Sequence, residues 1–414
     1  MTFGFPDGSD VAAQLGRRQR RGRLWQTLFL GSTLVAIIAL SALLYNIINS
    51  SFGLIATKQK VAPVELAMNG VALEQLEVAQ LISILEARLS KGLIRRFNHE
   101  RPLIERSREE LLALIEERII QPTVIETWSL IESIRDGDRI RTAWAGKDSG
   151  VTISMRAWVN MNFLTAPQSS DPNKAGIRTA IMGSLIIILF TVIFAFPVGV
   201  GAAIYLEEYA GNGLFNRIIK TNISNLAGVP SIIYGMLGLA VFVRLLEPFT
   251  SGALFGAVDP TTANGRTILS AAFTLALLIL PMIIINGQEA IRAVPNSLRE
   301  ASYGVGGTQW QTIWHHVLPK SMPGILTGTI LAVSRAIGET APLVVVGAST
   351  FIAMDPSGPF SKFTTLPVQI YQWTSRPQPE FRHIAAAAIV VLLVLLLSMN
   401  AFAIIMRNRY RKQA

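Results

Sequence analysis

The chain contains no cysteine, so disulfides, thiolate metal sites and a cysteine nucleophile are all excluded. Charge is scarce too. Only 15% of the 414 residues are charged, while half are hydrophobic. A G-x-x-x-x-G-K-[ST] phosphate loop is also missing: Gly146-Lys147 is followed by Asp148, where the motif needs a hydroxyl residue. Hydrolysis of ATP is therefore not expected of this chain. No catalytic residue, metal-ligand cluster or cofactor motif is expected either.

What remains is apolar and arranged in long runs. Six segments reach the length of about 20 residues that a membrane helix needs: 24–48, 178–204, 223–246, 267–286, a fifth from just after Pro319 to about 350, and 383–406. The first run is longer than a signal-peptide core and lacks a small-x-small cleavage site after it, so it reads as an uncleaved anchor. Pro197, Pro230, Pro281 and Pro342 fall within or beside the spans, where kinks and close helix contacts are tolerated.

The formal net charge of +10 is concentrated near the two ends. Arg17, Arg18, Arg20, Arg21 and Arg23 precede the first run; Arg407, Arg409, Arg411 and Lys412 follow the last. Such clusters mark cytoplasmic flanks rather than nucleic-acid binding. An even number of spans returns the chain to its starting side, so both ends agree on one topology. It places 1–23 and 407–414 in the cytoplasm, together with 205–222 and 287–320. It places 49–175, 247–266 and 351–382 outside.

Residues 49–175 differ in character, being densely charged but balanced. LEQLEVAQLISILEARLSKGLIRRF (73–97) and PLIERSREELLALIEERIIQ (102–121) repeat apolar residues at helical spacing, the second with proline at a helix start. They predict a compact, mainly helical extracytoplasmic domain. Its C-terminal part carries short β-branched runs such as VTISM (151–155).

The most informative connection is GQEAIRAVPNSLREASYGVGGTQWQTIWHHVLPKSMPGI (287–325). A passive link between spans needs only a few residues. This one has room for two short helices around a glycine turn, with a polar and aromatic surface suited to docking. Glu300-Ala301-Ser302, Gly306 and Leu318-Pro319 resemble the EAA-x3-G-x9-I-x-LP signature of importer permeases of the ABC superfamily. Two positions depart: Ser302 replaces an alanine, and His316 stands where the pattern has isoleucine.

NFLTAP (162–167), YLEEYAG (205–211), LAGVPSIIYG (226–235), MPGILTG (322–328) and RAIGETAPL (335–343) narrow the likeness. In that order they resemble the PstA-type permeases of phosphate importers. The resemblance implies an all-α membrane protein of the cell inner membrane, with a permease core over 176–406. It implies a second permease of the PstC type, two cytoplasmic ATPases of the PstB type and an extracytoplasmic phosphate-binding protein of the PstS type. Glu300, Ala301, Gly306, Leu318 and Pro319 become the expected ATPase-coupling residues. Glu300 would make a polar contact with the ATPase, and Gly306 the turn. A membrane-anchored sensor, a secondary transporter and a permease for another oxyanion are the rival readings. The first two leave the 287–320 loop without a purpose.

Arg335 and Glu339 stand four residues apart in the fifth span, on one face of a continuous helix. Counted from Met322, Arg335 lies roughly 20 Å into a hydrocarbon core about 30 Å thick. An ionisable group there normally faces protein or water. The pair is either an intrahelical lock or the lining of an anion path, with Arg335 meeting the anion and Glu339 restraining it.

Overall fold

The computed structural model describes residues 8–411 apart from 62, 68–70, 72, 121–122, 146–150, 212 and 258–264. Gly146, Lys147 and Asp148, the first seven residues of the N-terminal segment and the last three of the basic tail, Lys412 included, lie outside the described residues.

Helix α1 (Gly8–Ser51) carries the first apolar run and extends the basic segment below it. Its 44 residues measure about 66 Å, twice the hydrocarbon thickness, so the arginines project well past the apolar run. Strand β1 (Phe52–Lys58) follows without a break and forms the centre of a three-stranded antiparallel sheet ordered β2-β1-β3. Gly53 is required there, because a side chain would run into the main-chain carbonyl of Trp128.

The helical part of this region is divided more finely than the periodicity predicts. The expected helix over 73–97 becomes a short turn, α2 (Val78–Arg88) and α3 (Lys91–Glu100), separated where Leu89 and Ser90 turn extended. Pro102 opens only a short 3-10 turn. The next helix, α4 (Arg108–Ile115), starts at Ser107, whose hydroxyl and main chain exchange hydrogen bonds with Glu110. That reciprocal cap satisfies two otherwise orphaned amides and outcompetes the proline as a start signal. Leu76, Leu81, Leu85, Leu111 and Ile115 form the buried centre of these helices. Strand β2 (Thr123–Thr127), α5 (Leu130–Arg135), α6 (Gly137–Ala145), β3 (Val151–Ala157) and α7 (Met161–Thr165) complete the region.

The membrane portion is built on α8 (Arg178–Ile204) and α12 (Ile268–Arg292). Between them run α9 (Leu214–Ala227), α10 (Ser231–Gly238), which continues as a π-helical stretch to Leu245, and the short α11 (Glu247–Thr250). Helix α12 is the most buried span, with α8 on one side. Beyond α12 come α13 (Asn296–Gly304), α14 (Gln309–Thr312), α15 (Leu318–Gly338), α16 (Ala341–Val346), α17 (Leu366–Thr374) and α18 (Pro379–Arg411). Gly199 sits where a side chain would collide with Ile283, and Gly328 where one would collide with Asn286, so α8 and α15 both approach α12 closely.

Among the described residues, five helices are long and apolar enough to cross a membrane, six if the bent pair Leu214–Ala227 and Ser231–Leu245 counts as one. Two expected spans therefore need correction. The third is not one helix over 223–246: the chain turns through 104° between α9 and α10. Gly228 ends the first helix, and Pro230, without an amide hydrogen, cannot continue it. The fifth neither begins after Pro319, its helix being continuous from Gln309, nor runs unbroken to 350. It stops at Gly338, Glu339 turns extended (ψ 126), and α16 starts afresh with Pro342 in its first turn. Proline there cannot return a hydrogen bond to the carbonyl four residues back.

A second apolar cluster fastens the first region to the bundle. Ile55, Trp158 and Phe163 share it with Trp373 on α17 and Phe381 and Ile384 on α18. His383 adds polar clasps, its ring nitrogens 2.7 Å from the Ser50 carbonyl and 2.9 Å from the Thr127 hydroxyl. Its ring also stacks on Trp158 at 5.5 Å.

Candidate functional site

The segment between α12 and α15 forms a projection of two short helices. Pro295 caps α13, Gly306 takes the left-handed conformation (φ 85), and the Thr308 side chain caps α14 together with Gln311. A positive φ favours glycine, which explains why the turn falls at this residue. The Ser302 hydroxyl, buried, lies 2.8 Å from that of Thr312 and ties α13 to α14. The departure from alanine at 302 is thus a structural bond. The departure at His316 also has a local cause. Residues 313–317 form a π-helical turn in which Ile313 and Val317 take the buried places, leaving His316 outward.

Glu300 and Ala301 are exposed on this projection, and no described residue pairs with the Glu300 carboxylate. Beside them stand Tyr303, Val305 and the stacked rings of Trp310 and Trp314, 5.4 Å apart, all exposed. Leu318, half-buried against the main core, and Pro319 begin α15. The expected coupling residues are therefore grouped on and beside one exposed projection.

Arg335 and Glu339 are brought together, but not on one continuous helix. Arg335 lies in the last turn of α15 and Glu339 is the residue at which that helix ends. Nε of Arg335 is 3.3 Å from Oε1 of Glu339, and one of its terminal nitrogens is 3.4 Å from the sulfur of Met282 on α12. The side chains are 40% and 17% exposed in this chain. Just beyond, α16 packs against α10 so closely that a side chain at Gly235 would sit 2.6 Å from the Pro342 Cα. From Leu318 to Arg335 the helix rises about 26 Å, so the pair and the projection stand at opposite ends of α15.

Sequence reasoning missed a third set of charges. Glu208, in the π-helical turn Tyr205–Tyr209 that continues α8, meets Arg299 on α13 at 2.6 Å, with side chains only 6% and 15% exposed. Arg299 also donates to the carbonyls of Val294 (2.7 Å) and Ile291 (3.1 Å). Gln309 donates to the Glu208 carbonyl at 2.6 Å. Glu207 receives Arg292 through two hydrogen bonds of 2.8 and 3.1 Å and lies 3.7 Å from Lys220. The signal was present in YLEEYAG: two adjacent acids ending an apolar run, with arginines facing them across a later loop.

Comparison with known proteins now bears on this geometry. The binding-protein-dependent transport system inner membrane component family matches residues 195–412, more than half of the chain. The chain belongs to that family. It is an ABC transporter permease, a multi-span membrane subunit, and membership implies a binding protein and an ATPase as partners. The probable ABC transporter permease protein YqgI of Bacillus subtilis (strain 168) is 31% identical over 62% of this chain and 86% of its own length. The phosphate transport system permease protein PstA of Haemophilus influenzae is 31% identical over 59% of this chain and 80% of its own. Among solved structures, the MetNI methionine ABC transporter in an inward-facing conformation matches 57% of this chain and 94% of its own, at 18% identity and a TM-score of 0.41.

Proposed function

We propose that this chain is the PstA-type permease of an ATP-driven importer of inorganic phosphate, forming half of the translocation path beside a PstC-type permease. The observation that carries this reading is the Arg335–Glu339 pair, in the last turn of a membrane helix and at its break, yet partly open at the surface of this chain. A charge within a span is stable only against protein or water, which suits the wall of a path shared with a second subunit. The guanidinium offers a planar fork to phosphate oxygens, and Glu339 weakens its hold so that the anion can leave. The PstA relative supports phosphate as that anion.

In this reading 49–175 lies outside with a PstS-type binding protein, and both basic ends are cytoplasmic. Two PstB-type ATPases receive the projection, with Glu300 as a polar contact and the exposed aromatic face as packing surface. Closure of the ATPases on ATP displaces the projection. Helix α15, continuous from Leu318 to Gly338, carries that displacement to Arg335. The break at Glu339 lets the pair reorient without dragging α16, as hinges at element ends do.

The test is uptake by the reconstituted complex, comparing phosphate with sulfate and molybdate. ATP-dependent accumulation of phosphate in preference to the other two is expected. Uptake insensitive to ATP, or equal for all three anions, contradicts the reading; no uptake at all favours a sensor.

A further inference from the structure

The coupling projection is joined to the bundle by more than the chain that leads into α15. Glu208 and Arg299 meet at 2.6 Å where almost no solvent reaches them, and Arg299 spends its other hydrogens on the carbonyls of Ile291 and Val294 and on the Asn296 side-chain oxygen. Glu207 holds Arg292 in a two-pronged pair, and the Glu208 carbonyl receives Gln309 of α14. The inner end of α8 is thus bonded to the last turn of α12, to α13 and to α14 at once. Opening the Glu208–Arg299 pair would strand a charge in a buried site, so this pair is suited to staying closed through a transport cycle.

The outer end of the same helix is also fastened. Arg178, the first residue of α8, pairs with Asp355 at 2.9 Å, and Thr179 lies 3.2 Å from the same carboxylate. One turn deeper, the Ser184 hydroxyl accepts the Leu366 amide at the start of α17. The carbonyl of Thr364 crosses the helix where Gly183 leaves no side chain in its way. These contacts tie α8 to the segment between α16 and α17.

We infer that α8 is a transmission strut running the depth of the permease, with Glu208 and Arg299 as positioning residues that clasp its inner end to the coupling projection. A push on α13 then moves the outer 355–366 segment through α8, in parallel with the route through α15. In the other direction, a binding protein seated outside acts on the ATPases along the same strut. The inference rests on the coupling role proposed for 287–320 but not on which anion is carried.

The test uses the absence of native cysteine in this chain. The double variant Glu208→Cys, Arg299→Cys is assembled into the full complex and ATP hydrolysis is measured with and without binding protein, before and after joining the two thiols with a short bis-maleimide. Stimulation by the binding protein is expected to fall about tenfold, the loss of roughly one decade of coupling, and to return once the thiols are joined. Full stimulation before joining overturns the inference, as does stimulation that stays lost after joining. Failure of the variant, and of Glu208→Gln, to assemble overturns it in favour of a purely structural pair. Because the readout is ATP hydrolysis, a wild-type complex that responds to its binding protein but does not import phosphate defeats the phosphate reading alone.

Discussion

Two ion pairs at opposite ends of the permease core are built to different standards. Glu208 and Arg299 approach to 2.6 Å and are nearly sealed from solvent, and Arg299 donates further to the carbonyls of Val294 and Ile291. Arg335 and Glu339 stand 3.3 Å apart, with the arginine 40% exposed and a thioether sulfur as its only other bonded neighbour among the described residues. A buried, fully bonded pair is hard to open and fixes one arrangement. A loose pair at a helix break is easy to open and can exchange partners. The two proposed tasks call for such a difference: transmission at the pair beside the projection, and passage of an anion at the pair where α15 ends.

That contrast predicts a ranking of stabilities. Glu208→Ala leaves Arg299 without its counter-charge and costs about 3 kcal/mol of stability, seen as a lowered unfolding midpoint of the purified protein. Gly235→Ala comes next. Its new methyl meets the Pro342 backbone at 2.6 Å, so α10 and α16 must shift, at about 2 kcal/mol by the same measurement. Ser302→Ala restores the common residue of the coupling signature and deletes the bond to Thr312, which keeps its own bond to the Thr308 carbonyl. The expected loss is about 1 kcal/mol. Arg335→Gln and Glu339→Gln should each change stability by less than about 0.5 kcal/mol, because the pair is loose at 3.3 Å and its arginine is partly exposed in this chain. Equal losses for Glu208→Ala and Arg335→Gln would erase the distinction between the two sites.

Much of this was legible in the sequence, for physical reasons that also explain what was not. Apolar runs of about 20 residues need no partner to be recognised, so most spans were placed from composition alone. The turn at Gly306 is a local event that glycine announces, whereas Leu318-Pro319 marks no helix start, because the helix already runs on from Gln309 through the π-helical turn at 313–317. The breaks at Gly228–Pro230 and Glu339–Thr340 were only half legible. Pro230 and Pro342 signal an interruption, but a 104° turn is set by what the two halves pack against. The Glu208–Arg299 clasp joins residues 91 positions apart, and no local pattern pairs them. The sheet was hidden for the same reason: β1 is an unremarkable seven residues until β2 and β3 arrive from far along the chain.

The assignment of Arg335 to an anion path is tested most directly by the import rate of the complex carrying Arg335→Gln, measured at equal amounts of assembled complex. Phosphate import should fall about tenfold or more, the loss of one charge-assisted contact, while assembly stays at the wild-type level. Import at the wild-type rate, or a complex that no longer assembles, would contradict the account and leave the pair as a lock that merely holds the end of α15.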